Sequence, residues 1–407
     1  MFDDSNIVAG LEVGTSKICV IIGVQKAGGE LNIIGVGQSS SRGVRKGEII
    51  NPQDVEADVR TAVAEAEQMA DVEIRSVYVG VTGGHIQGLN NRGFHRVVSA
   101  EHEIMPEDVE DVVNNAKAIA LPPDHTIIHT IRQHFLVGGQ DGVTDPIGMH
   151  GAQLEVDLHV IHGKTYRLQN VIRLIRATSL AVDDIVFNGI ASSLALLTSE
   201  QKELGALVID LGGGTTEYVV YSEGVIRHSG VLAIGGDHVT NDLAYGLKIS
   251  LSRAEKLKCE HGSVLVAGAA NGESITLTDE LGFEIKRVKV EHLQTIMSAR
   301  LSEIFEIIAD DLEGAGLPGF LRAGVFLCGG GSKVPGIATL AEKVFQLDVA
   351  LGRAGDLSGL ATALQTPEFA TAIGLVKYGA LLQRQPAARL SWWARLWGLI
   401  RKLVALP

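Results

Sequence analysis

Two stretches half a chain apart carry the same signature: an apolar run, an acid, a glycine two residues later, a threonine, and a second β-branched run. The first is IVAGLEVGTSKICVIIGV, from Ile7 to Val24, with Glu12 and Gly14 at its centre. The second is ALVIDLGGGTTEYVVYSEG, from Ala206 to Gly224, with Asp210 and Gly212. Apolar runs of this length bounded by glycine read as strands, and the glycine–hydroxyl junction reads as a tight hairpin. The second hairpin reads as longer by two residues. A hairpin repeated in both halves implies two related lobes facing one another. That agrees with a chain of 407 residues, which is too long for one compact core and suits two to four domains.

Between and after the hairpins the pattern is mixed α/β. Helical spacing over Pro52–Ala70 precedes a strand-like Ile74–Val81, and Pro106–Ala120 is a second helix with acids in its first turn. Alternating stretches from there to Ile161 predict a small strand-rich unit. Helices are expected over Lys164–Ala177, Gly189–Ser199, Ser252–Glu260 and Val290–Leu312, then a strand at Gly324–Cys328 and a last helix near Glu368–Leu382.

Glycine is the compositional outlier, 48 residues in all, against a usual share of roughly 7%. Three clusters sit beside strands: Gly14-Thr15-Ser16-Lys17, Gly212-Gly213-Gly214-Thr215-Thr216 and Gly329-Gly330-Gly331-Ser332-Lys333. Without a Cβ, backbone N–H groups can converge on an anion, and neighbouring hydroxyls add donors. Facing a triphosphate, Glu12 and Asp210 would repel it unless a cation or water lay between, so the pair implies a divalent metal held through water. No loop fits the P-loop or the dinucleotide fingerprint.

Charge and cysteine content bound the remaining classes. The net charge of −13 argues against broad nucleic-acid binding, which needs clustered cations. Cys19, Cys259 and Cys328 are far apart, with no CxxC, so neither a disulfide framework nor a zinc site is supported. The N-terminus lacks a signal-peptide pattern, and no apolar run reaches the roughly 18 residues of a membrane span. The expectation is a cytoplasmic protein. His85, His125, His129 and His134 lack a metal-binding spacing and read as ordinary surface or core histidines.

In order and content the loops resemble the superfamily of actin, sugar kinases and DnaK-type chaperones. GLEVGTSK (10–17) is similar to its first phosphate hairpin, VIDLGGGTTEYVV (208–220) to its second, and VFLCGGGSKVPGI (325–337) to its adenosine loop. SRAEKLK (252–258) resembles the Glu-x-x-Lys element beside the adenosine, which implies that role for Glu255 and Lys258, and the glycine turn at Gly235-Gly236 resembles the one next to the second phosphate site. Within the superfamily the match narrows to the FtsA family of actin-like bacterial cell-division proteins. It rests on Glu12 in place of the more usual Asp, and on GVRKGEIINP (43–52), IASSLALLTSEQKELGALVIDLGGGTTEY (190–218) and AIGGDHVTNDLAYGLKISLSRAEKLK (233–258).

The resemblance implies an actin-like α/β fold with two related lobes around an ATP cleft, Mg2+ as the cation, and weak or absent hydrolysis because Glu12 has the longer arm. It further implies domain 1A over 1–85 and 163–200, an inserted domain 1C over 86–162, domain 2A over 201–238 and 300–382, and domain 2B over 239–299. The implied partners are other copies of the chain in a filament, the C-terminal peptide of FtsZ on 2B with Arg300 as a contact, and later division proteins through 1C. Alternatives left open are a type IV pilus assembly protein of PilM type and a small-molecule kinase of the same superfamily. The kinase needs a catalytic Asp, and no third acid motif identifies one.

The last residues form a different kind of signal. After a linker over 383–390 comes SWWARLWGLIRKLVALP, 391–407. On a helix, Trp392, Trp393, Leu396, Trp397, Leu399, Ile400, Leu403 and Val404 share one half, while Arg395, Arg401 and Lys402 fall on the other. All three tryptophans of the chain are here, and from Arg384 onward there are five basic residues and no acid. Such a helix is expected to lie in the surface of an anionic membrane, too short and too charged to span it. The location implied is the cytoplasmic face of the inner membrane at the division site.

Overall fold

The computed structural model describes residues 7–26, 30–265, 273–278, 284–355, 357–359 and 364–384. The tail at 391–407 and most of the linker lie outside the described residues.

The first lobe opens with β1 (Ile7–Val13), β2 (Lys17–Gln25) and β3 (Leu31–Ser40). A short pair, β4 (Val44–Arg45) and β5 (Glu48–Ile49), leads to α1 (Pro52–Ala70) and β6 (Ser76–Val81). Helix α1 starts where its sequence says it must. Asn51 accepts hydrogen bonds from the Gln53 and Asp54 amides, and Pro52 stands in the first turn. The next unit is inserted: β7 (Gln87–Arg96), α2 (Pro106–Lys117), β8 (His125–Val137), β9 (Gln140–Val143) and β10 (Gln153–Lys164). Helix α3 (Thr165–Ala177), β11 (Ala181–Phe187), α4 (Asn188–Leu196) and α5 (Ser199–Leu204) bring the chain to the second lobe.

There β12 (Ala206–Leu211), β13 (Thr216–Ser222) and β14 (Val225–Leu232) precede α6 (Gly236–Leu247) and α7 (Leu251–His261). A two-stranded ribbon, β15 (Ser274–Thr278) and β16 (Glu284–Lys289), runs into the long α8 (Val290–Gly314). The chain closes with β17 (Val325–Cys328), α9 (Ile337–Phe345), β18 (Val349–Leu351), β19 (Leu357–Gly359) and α10 (Ala370–Arg384).

The two lobes have one topology. In the first sheet the order β3-β2-β1-β6-β11 places an antiparallel meander beside two parallel strands, and in the second β14-β13-β12-β17-β18 repeats it. Central strands are buried on both faces, which explains why β2 and β13 read as nearly unbroken apolar runs. The inserted unit is a separate sheet, β7-β10-β8-β9, with α2 packed against it around Val112, Ala116, Leu154 and Val156.

Two features differ from the sequence expectation. The hairpins are of equal length. Each is closed by a bond from its first glycine to the residue three on, Gly14 N to Lys17 O at 3.0 Å and Gly212 N to Thr215 O at 2.9 Å. The extra glycines of the second loop replace Thr15 and Ser16 and are not an insertion. The last elements also leave the second lobe, which the sequence expectation carried to 382. Strand β19 pairs in parallel with β3, and α10 packs on β1, β2 and α4 of the first lobe.

Candidate functional site

Each hairpin delivers its acid to the same place in its lobe. Glu12 lies opposite Cys19 and beside Gly80 of a parallel strand; Asp210 lies opposite Glu217 and beside Cys328. The two turns then meet. A Cβ on Gly213 would fall 2.1 Å from Ser16 Oγ, and one on Gly214 would fall 2.5 Å from Thr15 Oγ1. A Cβ on Gly214 would also fall 2.8 Å from the Lys46 backbone, which cannot turn aside, so glycine is needed there.

The third loop joins them from below. Gly329 takes φ +79°, and a Cβ there would sit 2.4 Å from Asp210 Oδ1. All three loops therefore border one cavity of about 120 Å³, lined by Glu12, Gly14 to Lys17, Gly212, Gly213, Thr215, Gly329 and Gly330. A water needs about 10–15 Å³ of such space, so the cavity has room for several waters or a small hydrated group between the loops.

Five further residues line it that sequence reasoning missed: Thr82, Asn188, Glu217, Glu368 and Thr371. Glu217 is a third carboxylate where the sequence showed no third acid motif. The signal was an acid inside the otherwise apolar run of β13, where a buried charge needs a reason. It accepts a hydrogen bond from Thr82, while Thr371 Oγ1 donates to Asp210 Oδ2 at 2.6 Å.

Electrostatically the cavity is short of positive charge. Burial pushes the Glu12 carboxyl up to about 7, against the pull of Lys17, and the Asp210 charge adds to the rise. Burial and Asp210 push Glu217 up to about 8, and burial raises Asp210 as well, opposed by the Thr371 hydrogen bond. Glu12 Oε2 and Asn188 Oδ1 are buried with no hydrogen-bond partner. Lys17 only partly relieves this, because its ammonium donates to the Glu368 carbonyl and lies 4.4 Å over the Phe369 ring. A divalent cation with its waters fits such a donor set: oxygen-only, acidic and partly unsatisfied. Among the described residues no group of three or more His, Cys, Asp or Glu converges as a direct metal cluster.

The other sequence candidates stand around this cavity. Gly236 N donates to Gly212 O at 3.0 Å and Asp237 N to Gly213 O at 2.7 Å, so the Gly235-Gly236 turn braces the second hairpin from behind. Lys258 Nζ reaches Gly236 O at 3.1 Å and pairs with Glu255 at 2.7 Å, joining that element to the same turn. Thr216 Oγ1 donates to Ile234 O at 2.8 Å, and Ser332 Oγ to Gly329 O at 2.7 Å, so both stabilise loops and do not face the cavity. Arg300 sits in the middle of α8, and its guanidinium is paired with Asp242 and Glu303. The tail residues Trp392 to Val404 lie outside the described residues. No helix of the described residues is long and apolar enough to cross a membrane.

Comparison with known proteins adds the following. Residues 207–374 match the family model "Cell division protein FtsA", and residues 83–162 match "SHS2 domain inserted in FTSA". The cell division protein FtsA of Pseudomonas aeruginosa is 36% identical over 93% of this chain and 90% of its own length. Among solved structures, the PilM-PilN type IV pilus biogenesis complex superposes with a TM-score of 0.67 at 17% identity, covering 92% of this chain and 98% of that one. MreB5 of Spiroplasma citri bound to ADP gives a TM-score of 0.56 at 15% identity over 94% and 98%. At such identities the structures share an actin-like fold and nothing finer.

Proposed function

Because this chain belongs to the FtsA family of cell division proteins, we propose that it is an ATP-binding, self-assembling adaptor that tethers the FtsZ ring to the cytoplasmic membrane. One observation carries the nucleotide part: three carboxylates, Asp210 and Glu217 buried and Glu12 partly so, border a cavity where two glycine hairpins from opposite lobes touch. Left alone, that much buried negative charge is unfavourable. Mg2+ would be held by Glu12 and Asp210 through water, and when bound it neutralises phosphate charge. Backbone N–H groups of the two turns, with Thr15 and Ser16, orient the phosphates, while Glu255 and Lys258 flank the adenosine. Glu12 in place of the shorter Asp supports slow hydrolysis.

Assembly follows from symmetry. A head-to-tail contact that does not close gives an open filament, and each protomer adds one weak membrane anchor from 391–407, so the filament holds by avidity. In this reading the region 239–299 with Arg300 receives the FtsZ C-terminal peptide, and the inserted unit receives later division proteins. Family membership favours this reading over a pilus-assembly role of PilM type.

The nucleotide claim is tested by titrating the full chain with a fluorescent ATP analogue, with Mg2+ and with EDTA. Saturable, Mg2+-dependent uptake is expected, reduced at least tenfold by Asp210→Asn. Equal uptake by wild type and variant, or none by either, would sink it.

A further inference from the structure

Strand β14 is the edge of the second lobe's sheet, and an edge strand leaves backbone carbonyls without ladder partners. Here side chains of the inserted sheet answer them. Asn90 Nδ2 donates to Arg227 O at 2.9 Å, and Gln133 Nε2 to Ile226 O at 2.7 Å. With its amide so oriented, Asn90 turns Oδ1 towards His159 Nδ1, 2.7 Å away, which must therefore donate. His159 Nε2 is then an acceptor, and the Ser229 hydroxyl at 2.7 Å supplies the proton. Both residues are buried, and burial holds the His159 imidazole down at about 3, in the neutral form these bonds require. The backbone itself comes close: a Cβ on Gly88 would lie 2.4 Å from Ser229 Oγ.

The chain already joins the inserted unit to the first lobe, through β6 before it and α3 after it. The seam gives it a second, non-covalent attachment, to the other lobe. Strand β14 is in turn laddered to β13, with Val231 opposite Glu217 and Leu232 opposite Thr216. The strand gripped by the seam therefore ends at the wall of the phosphate cavity.

We propose that the inserted unit is a strap across the cleft: beside the apolar packing of α4 on β12 and β13, which acts as the hinge, the Asn90–His159–Ser229 seam ties β14 to the first lobe, and the phosphate turns part to release nucleotide when the seam opens. For its ligand this rests on the nucleotide reading above; the mechanical link does not. A seam of a few neutral hydrogen bonds is weak enough to open in a conformational cycle, and couplings of that kind shift binding by about 5- to 150-fold.

Two variants of the full chain test it, both carrying Cys259→Ser to remove the exposed thiol. Asn90→Ala with Ser229→Ala breaks the seam. Gly84→Cys with Ala233→Cys locks the lobes beside it: a Cβ on Gly84 would lie 3.1 Å from the Ala233 Cβ, and a disulfide, which needs about 3.5–4.5 Å, forms once the two segments give by about half an ångström. Release of a fluorescent ATP analogue and, without nucleotide, hydrogen exchange over residues 212–217 are both measured. Release at least fivefold faster and faster exchange are expected for the broken seam; the oxidised lock slows both, and reductant reverses it. Unchanged release and exchange in a folded seam variant overturn the strap. Should that variant not fold, the lock decides, and no change on reduction overturns it. If the wild type takes up no nucleotide, the ATP reading fails while the exchange data still judge the strap.

Discussion

Thr371 donates its hydroxyl to Asp210 Oδ2 at 2.6 Å, so the first turn of α10, which packs on the first lobe, is bonded to the acid of the second hairpin. Thr371→Val keeps the shape and removes the donor. Hydrogen bonds to charged groups contribute about 1.5–3 kcal/mol, and a loss of that order is expected from urea midpoints. Because the lost bond favoured the ionised carboxylate, the deficit should grow as pH rises and Asp210 ionises. A deficit that does not depend on pH would place the effect in packing.

The raised carboxylates make a second prediction. Glu12 at about 7 and Glu217 at about 8 hold protons in the folded state that the unfolded chain releases near 4.5. Between those values the folded state binds more protons, so stability falls as pH rises from about 5 to 8. Glu217→Gln should flatten that slope and add roughly 2 kcal/mol at pH 8, by removing a buried charge. Mg2+ should stabilise more strongly at pH 8 than at pH 6, because binding favours ionised groups. Thermal melts across pH, with and without Mg2+, check all three.

Local chemistry made much of the fold legible. Helix α1 was expected over Pro52–Ala70 and is found there, because Asn51, Pro52 and the apolar spacing state its start and its buried face. The hairpins were legible for the same reason. What was not legible depends on contacts between distant segments. Thr82, Asn188 and Thr371 are unremarkable polar residues in sequence and become cavity walls only when β6, α4 and α10 are packed together. Strands of three residues such as β18 and β19 carry too few side chains to show a period, so the return of the chain to the first lobe left no local trace. The hairpin lengths were misjudged because consecutive glycines look like an insertion, whereas the closing bonds show a substitution.

Contact between the two turns gives a prediction with a built-in rescue. Gly213→Ala places a methyl 2.1 Å from the present position of Ser16 Oγ, which must move. The hairpins should separate, weakening Mg2+-dependent uptake of the ATP analogue by about tenfold, or 1.4 kcal/mol, with the fold retained. Ser16→Gly in the same chain removes the clashing hydroxyl and should recover part of the loss. If the double variant binds no better than Gly213→Ala alone, the loss does not arise from that contact.

The membrane proposal turns on residues 391–407, whose sequence would separate apolar and basic side chains onto opposite halves if wound as a helix. Deleting them should leave melting temperature and nucleotide uptake unchanged, while flotation with anionic vesicles is lost. Two forces contribute and can be separated. In the proposed anchor Trp392, Trp393 and Trp397 would supply apolar burial, which salt does not screen, whereas Arg395, Arg401 and Lys402 would supply attraction to anionic lipid at about 1 kcal/mol each. Replacing the three cations by Gln should therefore abolish the preference for anionic over neutral vesicles and the sensitivity to salt, with residual binding kept. Replacing the three tryptophans by Ala should abolish binding at every salt concentration. A truncated chain that still floats with vesicles would place the attachment elsewhere on the protein.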